Sequence, residues 1–445
     1  MGTPAVTAEK GCSRMARESQ RAVRRQYDGR TLKRTRSLRL RKILEHAFRH
    51  TEYYRERFAR SEFTLDSLLD ENNFERLPFL TKHDLNISLA RLIANTHSPL
   101  DLFKCRRGFS SGTTGVPVLA FFDRFTEALA STQFIQFLHN NHLEIAPGST
   151  GILNLVEFEG LSSYYHVMRD LSNSLYYRIN LSAERWKEPE QLLNFLSQLQ
   201  PAIIQGRPTP LGLLANAIDA WPEGKRFKPK AIMSYGETLQ EDARERLSTS
   251  LGADIYDAYG ITELGGIVGI ECHMHIGFHL FSDSFLVEIV DEDGGRLTPG
   301  QVGEIAITSL VNRVMPIIRY RTGDMGMIRP DECTCGIKHP LLNLSGGRVV
   351  SFFVGADGKR FNPYPLGQLM DELPVLQYQI VQEDVKRVCI LYVPKREIDD
   401  EKWEAVSQGI RRRMGDDCVV VMKKVASFKT GEKTLQKFLC RARPE

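Results

Sequence analysis

The spacing of apolar residues changes three times along this chain. Up to about residue 35 there is little apolar periodicity, and the segment reads as a loose leader. From Leu38 onward, Leu40, Ile43, Leu44, Ala47 and Phe48 recur at helical spacing, so the ordered protein is predicted to begin there with an amphipathic helix. Between residues 125 and 260, helical stretches alternate with short apolar runs: GILNLVEF (151–158), AIIQG (202–206) and AIMSYG (231–236). That alternation predicts α/β layers around a buried sheet. After residue 280 the pattern turns to strands and hairpins. LVEIVDEDGGRL (286–297) reads as strand, turn and strand around Asp293–Gly294, and GEIAITSL (303–310) supplies the next strand. Past Gly346, strands at 375–381, 387–393 and 418–425 enclose a helix with Trp403, Val406, Ile410 and Met414 on one face. The predicted organisation is a leader over 1–35, a large α/β domain with a β-rich portion over 36–346, and a small, mobile α+β domain over 347–445.

Composition narrows the class. A chain of 445 residues, 42% hydrophobic and 26% charged, is an ordinary globular protein long enough for two or three domains. No apolar run approaches the roughly eighteen residues of a membrane span, and the first residues lack a signal-peptide core, so the expected location is the cytoplasm. Eight cysteines are too sparse for a secreted disulfide framework and suggest thiols or a metal site. The net charge of +4 hides an asymmetry, because residues 1–50 hold fourteen Lys and Arg against four Asp and Glu. A basic arm for nucleic acid or an acidic lipid surface is one reading of that segment. A solvated leader is the preferred one, because aromatic residues do not interleave the charges, and Glu9, Glu18 and Asp28 argue against a transit peptide.

The chemistry-bearing segments come in a fixed order. SSGTTGVP (110–117) is a run of hydroxyls and glycines with almost no bulk, which lets backbone N–H groups turn inward around phosphate. DAYGITELGG (257–266), RYRTGDMG (319–326), GGR (346–348) and KTGEK (429–433) follow. Together these resemble the adenylate-forming superfamily of acyl-CoA synthetases, and within it the phenylacetate-CoA ligase branch, as do ILEHAFRHTEYYRERF (43–58) and LPFLTKHDL (77–85).

The resemblance implies an ATP-dependent carboxylate ligase that forms an acyl-adenylate and hands the acyl group to coenzyme A, with a carrier-protein thiol or an amine as the alternative acceptor. It implies that Ser110, Ser111, Gly112, Thr113, Thr114 and Gly115 hold the β- and γ-phosphates. Tyr259 would lie against adenine, Thr262 would contact the α-phosphate, and Glu263 would hold Mg²⁺. Asp257 or nearby backbone would read the adenine amino group, with Gly236, Glu237 and Gly260 also near the nucleotide. Asp324 would accept from both ribose hydroxyls, and Arg348 would contact the nucleotide near a hinge. Lys433 is the expected catalytic lysine, chosen over Lys429 and Lys437, with the task of neutralising oxygen charge as the bond to phosphorus forms. Two departures stand out: Val116 replaces the family's lysine in the first loop, and Val350 and Ser351 stand where an acidic hinge residue is usual. They favour a second reading, a binding protein that no longer turns over.

Cys272, His279, Cys333 and Cys335 can supply a tetrahedral Zn²⁺ site, with His273 and His275 as alternative ligands, and members of the branch resemble this pattern. Tyr164, Tyr165, His166 and Gly265 are expected to line the acid pocket, and the rings favour a flat aryl or arylacetic acid. The expected partners are therefore a small carboxylic acid, ATP and coenzyme A. A carrier protein is a further option, a homodimer follows by analogy, and neither membrane nor nucleic acid is expected.

Overall fold

The computed structural model describes residues 21–109, 118–157, 162–169, 171, 173–186, 188–348, 353–355, 360–361, 363, 366, 369–370, 373–425 and 438–440. Among these, ordered structure begins before Leu38. A helix spans Gly29–His50, capped by the Asp28 carboxylate, which accepts from the backbone N–H of Arg30 and Thr31. Residues 21–35 are therefore folded, which corrects the reading of 1–35 as loose; residues 1–20 lie outside the described residues. The anchors are mostly polar, which is why apolar spacing missed them. Buried Gln26 donates to the Asn140 side chain at 2.6 Å, and Arg25 pairs with buried Asp283 at 2.8 Å.

The two strands β1 (Arg106–Phe109) and β2 (Leu119–Phe122) form an antiparallel hairpin. Next come β3 (Thr150–Val156), β4 (Tyr164–Met168), β5 (Ser174–Asn180), β6 (Ile203–Gly206), β7 (Ala231–Tyr235) and β8 (Ile255–Ile261). They are followed by β9 (Gly266–Glu271), β10 (Phe278–Leu280), β11 (Phe285–Val290), β12 (Gly303–Ser309), β13 (Tyr320–Ile328) and β14 (Leu341–Arg348). Strands β3 to β14 join in one sheet of order β11-β12-β13-β14-β10-β9-β8-β7-β6-β3-β5-β4. From β5 to β8 the pairs are parallel, and from β8 onward they are antiparallel. The sheet therefore changes character at the β8–β9 turn.

The apolar runs read from the sequence are the parallel strands. All of β3 is buried, as expected of a strand covered on both faces. On one face, Leu153, Ile204, Ile232 and Ile255 meet Leu193 and Leu196 of the helix Pro189–Leu199, Leu211 and Leu214 of the helix Pro208–Ala220, and Leu247 and Leu251 of the helix Glu241–Leu251. The other face packs on the N-terminal helices and on Phe137. A separate core near the C-terminus joins Ile380, Val388 and Ile390 to Val406, Ile410 and Met414 of the helix Asp400–Met414. After the short pair β15 (Phe353–Val354) and β16 (Arg360–Phe361), this unit holds β17 (Val375–Asp384), β18 (Arg387–Pro394), β19 (Val419–Lys424) and β20 (Phe438–Cys440), in the order β19-β18-β17-β20.

Candidate active site

The hairpin β1–β2 brings distant segments together. Its two strands bracket residues 110–117, the Ser110–Gly115 segment with Val116, which lie outside the described residues, and both strands pack on the turn Thr262–Leu264. A side chain at Gly108 would meet the Thr262 carbonyl at 3.2 Å, and one at Gly265 would strike the Phe122 ring at 2.8 Å. Gly265 also has φ +90°, so no other residue fits there without strain. Arg106 stacks over Phe122 at 4.5 Å and donates to the Gly265 carbonyl at 2.5 Å. Thus the two strands that flank the Ser/Gly/Thr segment are held beside Thr262 and Glu263.

Glu263 is buried and accepts from the Tyr320 hydroxyl at 3.3 Å, while its other oxygen makes no hydrogen bond among the described residues. Tyr259 is also buried, and its hydroxyl donates to Asp324 at 2.8 Å. Asp324 pairs across β13 and β14 with Arg348, at a register shift in the ladder. The sequence therefore folds RYRTGD and GGR onto the adjacent strands β13 and β14, and the Tyr259–Asp324 hydrogen bond ties DAYGITE on β8 to them. At Gly260 β8 passes close to β9: a Cβ there would lie 3.0 Å from the Gly266 carbonyl.

Behind β8 sits a charged network that motif reading missed. Glu271 accepts the Asp257 backbone N–H at 2.8 Å and takes both terminal nitrogens of Arg244 at 2.9–3.1 Å. Burial pushes the Asp257 carboxyl up to about 7, with the neighbouring Glu271 charge adding to it. For Glu271, burial acts upward, but His275, the Asp257 amide and Arg244 outweigh it and hold its pKa below the usual value. Gly236, at φ +77°, ends β7 and turns the chain into Glu237, whose carboxylate accepts from the Thr209 hydroxyl at 2.8 Å and lies 3.4 Å from Arg207.

The three aromatic residues predicted for the acid pocket are divided by strand alternation. Tyr164 and His166 face Tyr176 at stacking distances of 6.1 and 4.8 Å, whereas Tyr165 turns to the opposite face and stacks on Tyr177 at 5.4 Å. Asn154 joins the first group, donating to the Tyr176 hydroxyl and accepting from the Tyr235 hydroxyl, both at 2.8 Å. Asn154 was detectable as the one polar side chain inside GILNLV; nothing in the sequence ties it to Tyr176.

One donor cluster stands apart. The ligand atoms of Cys272, His279, Cys333 and Cys335 all lie within 4.8 Å of one another. The Cys272 and Cys333 sulfurs are 3.7 Å apart, and Cys335 Sγ is 3.3 Å from His279 Nε2. Sulfurs bound at about 2.3 Å in a tetrahedron would be about 3.8 Å apart, so this donor set fits a closed four-ligand centre. Burial lowers His279 to about 4 and keeps its imidazole neutral, the form that ligates. His273 and His275 are outside the cluster, and His275 serves Glu271 at 3.2 Å. Lys429, Lys433, Lys437, Val350 and Ser351 lie outside the described residues.

The AMP-binding enzyme family matches residues 108–315. The phenylacetate-coenzyme A ligase of Thermus thermophilus is 24% identical over 77% of this chain and 76% of its own, and that of Pseudomonas putida is 28% identical over 66% and 65%. The chain thus spans about two thirds to three quarters of the length of these relatives. Among solved structures, an open conformation of 2-hydroxyisobutyryl-CoA ligase in complex with 2-HIB-AMP and CoA superposes with a TM-score of 0.65 at 18% identity, over 91% of this chain and 90% of that one. The fold is that of an adenylate-forming enzyme. No described helix is long and apolar enough to cross a membrane.

Proposed function

Since the chain is an adenylate-forming enzyme, an AMP-forming acid–thiol ligase similar to the phenylacetate-CoA ligases, we propose that it activates an aryl or arylacetic acid and passes the acyl group to coenzyme A. The carrying observation is the packing of β1 and β2, the strands that flank residues 110–117, on the turn Thr262–Leu264 with its buried Glu263 carboxylate, some 150 residues away in sequence.

In this reading a carboxylate oxygen of the acid attacks the α-phosphorus of ATP, the bond to the β-phosphate breaks, and pyrophosphate leaves. The residues 110–115 take the β- and γ-phosphates, and Thr262 donates to the α-phosphate. Glu263, with one oxygen uncommitted among the described residues, would hold Mg²⁺, which would supply charge neutralisation on phosphate oxygens. Asp324 takes the ribose hydroxyls, Tyr259 and Asp257 flank the adenine with Gly236, Glu237 and Gly260, and Arg348 and Lys433 act from the C-terminal side. In the second half-reaction a thiolate attacks the acyl carbon, a C–S bond replaces the C–O bond, and AMP departs while the thiol proton goes to solvent. The move of 347–445 between these two steps is part of the same proposal. Support for a flat acid comes from Tyr164, His166 and Tyr176 stacked on one face, and from relatives that are phenylacetate-coenzyme A ligases. Cys272, His279, Cys333 and Cys335 would bind Zn²⁺, which would pin β9, β10 and the segment before β14 and take no part in the chemistry.

The test is pyrophosphate release from ATP and Mg²⁺ across aromatic and aliphatic acids, with and without coenzyme A. Turnover that needs both an aromatic acid and coenzyme A supports the proposal. Release with hydroxylamine but no response to coenzyme A would redirect the second step to a carrier protein or an amine. A preference for aliphatic acids would overturn the aryl assignment.

A further inference from the structure

On the face of the sheet that holds Asn154, β5 carries a cation with no counter-charge among the described residues. Arg178 pairs in register with Asn154 on β3 and with Tyr164 on β4, and Tyr176 lies two residues earlier on the same face. Its guanidinium sits over the Tyr164 ring at 5.6 Å. It is half-buried, its Nε is buried without a hydrogen-bond partner, and among the described residues it makes no ion pair. Arg207 has Glu237 at 3.4 Å; among the described residues Arg178 has no such partner. Tyr176 adds a second donor in want of an acceptor, because its oxygen accepts from Asn154 and its own O–H proton is left to give. Drawing a guanidinium out of water without an anion is costly, and a planar fork beside a phenol is suited to a carboxylate or similar oxyanion.

The position decides which anion. In the strand order, β5 lies four spacings from β8, roughly 19 Å at about 4.8 Å per spacing, so Arg178 is remote from the carboxylate that would meet the α-phosphate at Thr262. We propose that Arg178, with Tyr176, recognises a second anionic oxygen group at the far end of the acid, so that the preferred substrate is an aromatic acid bearing a distal carboxylate or comparable oxyanion. This rests on the acid-activating reading of the same site.

Matched acids test it: phenylacetate against 4-carboxyphenylacetate, and octanoate against suberate, assayed for adenylation with wild type, Arg178→Leu and Arg178→Lys. The diacid-to-monoacid ratio of kcat/KM should fall roughly 30-fold in Arg178→Leu, the scale of one charged hydrogen-bonded pair, and be largely kept in Arg178→Lys. An unchanged ratio would overturn the inference, and so would an effect confined to the KM for coenzyme A, which would assign Arg178 to the cofactor's phosphates. Calorimetric binding of 4-carboxyphenylacetate separates this failure from that of the ligase reading. Arg178-dependent binding without adenylation would sink the ligase reading and uphold the anion site; binding indifferent to Arg178 would sink the anion site whatever the chemistry.

Discussion

Asp257 shows how one buried carboxyl can set a pH dependence. In the folded chain burial and the Glu271 charge raise it to about 7, against about 4 in an unfolded chain. Between those values the native state keeps a proton that the unfolded state has released, so the stability tied to the protonated form is full below about pH 4 and is lost as pH rises toward 7. Asp257→Asn removes that loss. Its unfolding free energy relative to wild type should climb between pH 4 and 7 by up to about 4 kcal/mol, measured by urea denaturation at several pH values. A flat difference would mean that the carboxyl titrates normally. Asp324 makes a different prediction, because its role is proposed for ribose rather than for folding. Asp324→Asn should raise the KM for ATP by roughly 10- to 100-fold while the melting temperature holds, since one charged acceptor is replaced by a neutral amide.

Two elements carry the site, and each depends on a contact with no tolerance. The β8–β9 turn needs Gly265 at φ +90° against Phe122. Gly265→Ala should cost about 1–3 kcal/mol of stability in thermal unfolding and slow adenylation more than it weakens ATP binding, because the turn that carries Thr262 shifts. The start of β13 is held by a fully buried pair: Arg319 bonds to Glu288 at 3.1 Å and donates to the Leu77 carbonyl, with its guanidinium 4.0 Å from the Phe79 ring centre. Arg319 thereby ties LPFLTKHDL to the strand bearing Tyr320 and Asp324, through backbone bonds on either side of Leu80. Removing one partner leaves an uncompensated buried charge, so Glu288→Ala should destabilise by about 3–5 kcal/mol in denaturant titrations.

At the scale of the molecule, the cysteine and histidine cluster joins strands far apart in the chain. Purified protein should carry about one zinc per chain by elemental analysis, and Cys333→Ser should lose the metal and lower the melting temperature, because a closed site contributes folding energy directly. Protein that is metal-free yet equally stable would refute the assignment. The layered α/β order and the final α+β unit were legible in the sequence, as was the order of the glycine- and hydroxyl-bearing segments proposed to meet the nucleotide. Local spacing and residue chemistry suffice for these: apolar runs of strand length must be buried, and glycine with hydroxyls is what a phosphate cradle needs. The charge-anchored start of the fold, the Arg244–Glu271–Asp257 network, the parting of Tyr165 from Tyr164 and His166, and the solitary Arg178 were not legible. Each depends on which strands become neighbours and which face a side chain takes, and long-range pairing alone fixes both, turning ordinary surface residues of the sequence into buried charges and shared walls.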